Sequence, residues 1–98
     1  MDISYRLEGL EFEWNETKAQ SNFEKHGVTF EEAAEVLLDP FCVVGDASVN
    51  QEVREFALRY SIAERLLLVV QVDRGTKIRI ISARVATRSE RKLYEQYR

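Results

Sequence analysis

Residues 77–98 read KIRIISARVATRSERKLYEQYR, and the period of the pattern changes once within them. Ile78 and Ile80 alternate with Lys77 and Arg79, the period of a strand, here expected over Lys77–Val85. The parity breaks at Ile80-Ile81, which predicts a β-bulge or burial on both faces. Thr87 and Glu90 then form a T-x-x-E capping box. In the helix behind that box Leu93, Tyr94 and Tyr97 share one face, while Arg88, Arg91 and Lys92 share the opposite one. The stretch is therefore a cation-bearing strand followed by a helix expected to dock with its tyrosines inward and its cations outward.

The charge is as uneven as the pattern. Eight cations lie from Arg74 onward, and only Asp73, Glu90 and Glu95 oppose them after Val72, so the net charge of −3 conceals a positive region. A phosphate-bearing partner uses such a region. A solvated, salt-bridged surface has the same composition.

Upstream, Leu66–Val72 is almost wholly apolar and reads as a central strand covered on both faces. Asp73-Arg74-Gly75 is the tight turn between it and the last strand. Over Arg54–Ile62, Phe56, Leu58, Tyr60 and Ile62 alternate with Glu55, Ala57, Arg59 and Ser61, another strand, which turns at Ala63–Arg65. Residues 41–44, FCVV, form a strand ended by Gly45, and Asp46–Asn50 is a polar loop. Before Pro40 the period is helical. Asn15 caps a first helix, with Trp14 and Ala19 placed as a hydrophobic staple and Ala19, Phe23 and His26 on one face. Gly27 ends it. Thr29 and Glu32 form a capping box for a second helix striped by Phe30, Ala33, Ala34 and Leu37, and Pro40 closes that helix. Glu11–Trp14 is a short strand. In residues 1–10, Ile3, Tyr5 and Leu7 alternate, which fits an edge strand as well as a loose arm. The expected order is β-α-α-β-β-β-β-α: an α+β fold, with an antiparallel meander and the helices laid on one face.

The 98 residues suit one domain, and 45% hydrophobic content with four glycines suits a compact core rather than a disordered chain. The longest apolar run, Leu66–Val70, is too short to span a bilayer. The opening MDISYRLEGLEFEW lacks a cationic n-region and an apolar h-region, so no signal peptide and a cytoplasmic address are expected. Cys42 has no partner for an internal disulfide and reads as a buried thiol. One histidine and one cysteine do not make a zinc site by themselves. No Gly-rich phosphate loop, paired-cysteine motif, HExxH or G-x-S-x-G occurs, and acids such as Glu31, Glu32 and Glu35 are expected on exposed helix faces. Neither cofactor nor metal is expected.

Cations, a histidine and a carboxylate are sufficient for metal-free RNA cleavage. A base removes the 2′-hydroxyl proton, an acid protonates the 5′-leaving oxygen, and cations stabilise the phosphorane. Histidine is the side chain whose ordinary pKa suits both proton steps, and His26 is the one histidine. Packing beside Phe23 and capping at a helix C-terminus are its structural alternative. Arg79 and Arg84 are candidates because cations within a strand must meet a partner or solvent. A salt bridge to Glu55 or another acid is their structural alternative, and capping is that of Glu90.

The segments FEWNETKAQSNFEKHGVTFEEAAEVLLDP, REFALRYS, LLLVVQV and KIRIISARVATRSERKLYE together resemble the BrnT family of toxins from bacterial type II toxin–antitoxin systems. The resemblance runs from about Phe12 to Tyr94. Its most specific pieces are Phe12–Trp14, the run from Asn22 to Val28, Asp39-Pro40, and Arg79–Arg84 followed by Glu90-Arg91. It implies a RelE/ParE-like fold and a metal-independent endoribonuclease that inhibits translation. It also implies a BrnA-type antitoxin as partner, with operator DNA reached only through that antitoxin, and no membrane. The site residues it implies are His26, Arg79, Arg84 and Glu90, with Lys25 and Arg59 beside them. Lys77, Arg88 and Arg91 of the terminal basic region complete the expected RNA-binding set. The net acidic charge departs from the wider superfamily, no glycine stands near Arg59, and the first ten residues look like an addition. The resemblance is also compatible with a catalytically inactive scaffold or co-repressor for a ribbon-helix-helix antitoxin. More distantly, it is compatible with a poison of a protein target such as DNA gyrase.

Overall fold

The computed structural model describes residues 1–97. The elements are β1 (Asp2–Leu7), β2 (Leu10–Asn15), α1 (Glu16–His26), α2 (Phe30–Leu38), β3 (Val43–Asp46), β4 (Glu55–Tyr60), β5 (Leu66–Asp73), β6 (Ile78–Val85) and α3 (Arg88–Gln96). They form one sheet in the order β1-β2-β6-β5-β4-β3. The α+β class and element order match the expectation, with β1 added as an edge strand. From β3 to β6 the sheet is the expected antiparallel meander. One joint differs: β2 runs parallel to β6, paired at Phe12–Ile78 and Glu13–Arg79.

Local chemistry sets the boundaries. Asn15 Oδ1 accepts from the Lys18 amide at 3.0 Å, and Thr29 Oγ1 from the Glu32 amide at 3.1 Å. Between the two helices Gly27 adopts φ 68°, a left-handed conformation that costs a glycine little, and its N–H donates to the Phe23 carbonyl. Thr29 caps without the reciprocal half of the box, because the Glu32 carboxylate is taken by Arg65 and Ser61. Glu32 and Glu35, expected on exposed helix faces, bind the β4–β5 turn, Glu35 by accepting from the Ile62 amide at 3.0 Å. At Thr87 the box is complete in both directions. Gly45 lies inside β3 rather than after it. A Cβ there would meet the Phe56 ring at 2.4 Å, so the bare backbone is what lets the ring lie across the strand.

The sheet separates two apolar clusters. Leu67 and Val69 of β5 enter the larger one, with Phe12, Trp14, Phe30 and Ile80. Leu66 and Leu68, on the alternate parity, enter the smaller one with Leu58 and Tyr94. The helices are therefore not all on one face: α1 and α2 cover one side and α3 the other. The physical reason is the apolar run of β5, which needs cover on both faces. Within α1 the buried residue is Asn22, whereas Phe23 is 52% exposed. Tyr97, expected inward beside Tyr94, is exposed. No helix of the described residues is long and apolar enough to cross a membrane.

Candidate active site

The site is organised by β6. Opposite its bulge, Val70 pairs with Ser82 and Gln71 with Ile80, so Ile81 has no partner on β5. That extra residue changes which side chains share a face. Arg79 opposes Val72 and Arg84 opposes Leu68, two β5 residues of equal parity. The bulge therefore brings Arg79 and Arg84 to the same side of the sheet, the side of α3. They do not meet, because four residues of β5 separate their partners by about 13 Å.

Each arginine is held by acids of its own. Arg84 donates to both oxygens of Glu90, at 2.7 and 2.8 Å, a two-pronged pair across the β6–α3 connection. Glu90 also accepts from the Thr87 amide at 2.8 Å. These contacts, the Arg84 bond foremost, hold the Glu90 carboxyl below the usual range and raise Arg84 in turn. Arg79 donates to Glu13 at 2.7 Å and to both oxygens of Asp2, at 3.1 and 3.2 Å. The Arg79 hydrogen bond is the main cause lowering Asp2, and Arg79 is raised by Asp2 first and Glu13 second. The acids come from β1 and β2, because the parallel joint sets Glu13 beside Arg79 in register.

His26 ends α1 with Lys25, where the helix dipole favours positive charge. Its neighbours form an open groove of about 240 Å³ against β6, lined by Lys18, Ser21, Asn22, Lys25, His26, Ile81 and Ser82. Asn22 builds this groove. Its amide donates to the Ala83 carbonyl at 2.8 Å and the Val28 carbonyl at 3.1 Å, while its oxygen accepts from the Ala83 N–H at 3.1 Å. Beyond Arg79 the outer edge of β6 has no β2 residue in register, and at Ala83 the Asn22 amide takes the place of a strand. Asn22 belonged to no expected site. Its only sequence signal was its position in the run that ends Lys25-His26-Gly27-Val28.

The remaining candidates are dispersed. Arg59 makes an ion pair with Asp39 at 2.7 Å and donates to the Tyr94 hydroxyl at 2.8 Å, joining the end of α2 to α3. Lys77 donates to Ser4 at 3.0 Å on the β1 side. Arg91 donates to the Tyr60 hydroxyl at 3.2 Å, and Arg88 is exposed on α3. Of the expected catalytic residues, then, Arg84 and Glu90 are in contact. Arg79 shares their face at a distance, and His26 lies at the β6 edge with no hydrogen bond to the other three. Cys42 is half-buried, and burial pushes its thiol up.

Chemically, this arrangement offers guanidinium charge on one sheet face and an imidazole with ammonium groups at the adjoining edge. Held ionised by Arg84, Glu90 has no proton to donate near neutrality, and the same pairing weakens it as a base.

A comparison with curated proteins finds no match. Among solved structures, the 1.1 Å crystal structure of the Brucella abortus ribonuclease toxin BrnT is similar at TM-score 0.61 and 24% sequence identity, covering 76% of this chain and 94% of that one. At that identity the likeness speaks to the fold. The model of the ribonuclease toxin BrnT of type II toxin–antitoxin systems matches residues 14–90, which include α1, the whole meander, the arginines of β6 and the Glu90 cap. By that match across most of its length, the chain belongs to the BrnT family of ribonuclease toxins.

Proposed function

We propose that this chain is an endoribonuclease that cleaves RNA without a metal, thereby inhibits translation in the cytoplasm, and is neutralised by a BrnA-type antitoxin that alone contacts operator DNA. The supporting observation is the position of the single histidine: inside the matched segment, in a cation-bearing groove against the strand that carries Arg79 and Arg84. In this reading one proton acceptor, His26 or Glu90, removes the 2′-hydroxyl proton. The 2′-oxygen attacks phosphorus, the bond to the 5′-oxygen breaks, and that oxygen takes a proton from protonated His26. The products are a 2′,3′-cyclic phosphate and a 5′-hydroxyl. Arg79 and Arg84 supply charge to the phosphorane. The acids beside them, Glu13 and Glu90, already have guanidinium partners, which fits chemistry without a bridging metal ion.

The test is RNA cleavage by the purified, antitoxin-free chain in EDTA, beside His26→Ala and Arg84→Ala. Loss of cleavage in both variants, with folding retained, supports the reading; wild-type rates in both overturn it.

A second reading, the inactive partner of a DNA-binding antitoxin, is favoured by one observation: Arg79 is shared between two carboxylates. Growth arrest on expression, relieved by the antitoxin, would remove that reading.

A further inference from the structure

Among the described residues arginines supply the cations of the ion pairs, and no lysine takes part in one. Arg6, Arg54, Arg59, Arg65, Arg79 and Arg84 each face a carboxylate. Among the described residues the side chains of Lys18 and Lys25 have neither an ion pair nor a hydrogen bond. These two are seven apart on α1, two helical turns, so they stand on one face about 10 Å apart along the axis. Both line the groove against β6, and no carboxylate does.

We propose that this groove, between α1 and the strand-free edge of β6, is the track for the phosphodiester backbone of single-stranded RNA, with Lys18 and Lys25 as its phosphate-binding residues. The inference rests on the ribonuclease reading and assigns its substrate-binding surface.

Several features converge there. A phosphate approaching Arg79 or Arg84 must compete with a bound carboxylate; one approaching Lys18 or Lys25 displaces only water. The surface is open and shallow, as a flexible strand requires. Backbone following the lysines reaches Ile81 and Ser82, and Ser82 stands between the two arginines in the β6 register. His26 lies in the same groove, so a strand held by the lysines passes the imidazole before it reaches the arginine-bearing face. Lysine suits this task because an ammonium on a flexible stem is a point charge that follows a moving backbone. The capture surface is thus on a helix, and the terminal basic region named by charge counting lies beyond it.

The experiment is binding of a fluorescein-labelled uridine oligonucleotide by the full chain over a salt series. Lys18→Ala/Lys25→Ala is compared with Arg74→Ala/Lys92→Ala, which removes the same charge elsewhere. All four residues are exposed, so thermal unfolding should be unchanged in both variants. The expected result is a shallower dependence of log K on log salt for the lysine pair, by about 0.7 for each lost phosphate contact, with little change for the control. Equal slopes for wild type and the lysine pair, with RNA still bound and cleaved, would overturn the track and leave the ribonuclease reading standing. Wild-type protein that binds no RNA, or binds a polyglutamate peptide through these lysines instead, would overturn both.

Discussion

Arg84 and Glu90 face each other across the β6–α3 connection through two parallel hydrogen bonds of 2.7 and 2.8 Å. Glu90 is at the same time the reciprocal member of the Thr87 capping box. One carboxylate thus starts α3 and orients an arginine. Glu90→Gln should keep the bond from the Thr87 amide and lose the charge, at a cost of about 1 kcal/mol in urea unfolding. Glu90→Ala loses both and should cost more. Equal midpoints for the two would show that the cap contributes nothing.

Asn22 predicts the largest single loss. Among the described residues its side chain is the one partner of the outer backbone groups of Ala83. Asn22→Leu would bury an unpaired N–H and two carbonyls, costing about 2–4 kcal/mol. Asn22→Asp keeps an acceptor for the Ala83 N–H and removes both donors. A loss of unfolding free energy below about 0.5 kcal/mol for either variant would contradict this assignment.

The Glu32–Arg65 pair sets a pH dependence. Arg65 hydrogen bonds hold the Glu32 carboxyl below its ordinary 4.5, with Ser61 adding to the effect. A carboxyl depressed in the folded state contributes its stabilisation fully above its unfolded pKa and loses it as pH falls through the folded value. Stability should therefore fall on acidification below about pH 4.5, and Glu32→Gln should flatten that decline while lowering stability at neutral pH. Arg65 also donates to the Gly27 carbonyl at 3.0 Å, so Arg65→Ala should additionally loosen the α1–α2 turn. Circular dichroism against pH compares all three proteins.

Gly45→Ala tests the close approach of the Phe56 ring. The added methyl should displace the ring and destabilise by about 1–3 kcal/mol. Adding Phe56→Leu to Gly45→Ala should remove most of the penalty specific to the alanine, and a double-mutant cycle in urea reads that coupling.

Much of this architecture was legible in the sequence because it rests on local chemistry. The caps at Asn15, Thr29 and Thr87, the left-handed Gly27 and the bulge at Ile80-Ile81 all follow from neighbours within a few residues. What escaped was non-local. Nothing near Glu13 announces a parallel pairing with Arg79, and nothing near Asn22 announces that a helix will stand in for a strand at Ala83. The helical face Ala19–Phe23–His26 misled because Phe23 is exposed while the polar Asn22 is buried. Hydrophobic periodicity has no term for an amide that pairs with a peptide. Likewise the salt bridges of the β6 arginines were expected to Glu55 or another acid, and the actual partners were not legible because they lie in β1, β2 and α3.

The parallel joint between β2 and β6 also fixes an order of events during synthesis. The meander can assemble from neighbours, each strand adding to the one before it. The β1–β2 hairpin has no place in the sheet until β6, which begins at Ile78, has left the ribosome. Contacts between strands so distant in sequence are slow to form and late to be rewarded. A nascent chain stopped short of β6 carries α1 with its histidine, but neither the strand against which the groove is built nor the arginines beyond it. The groove and the arginine-bearing face therefore come into being together, only when β6 joins the sheet.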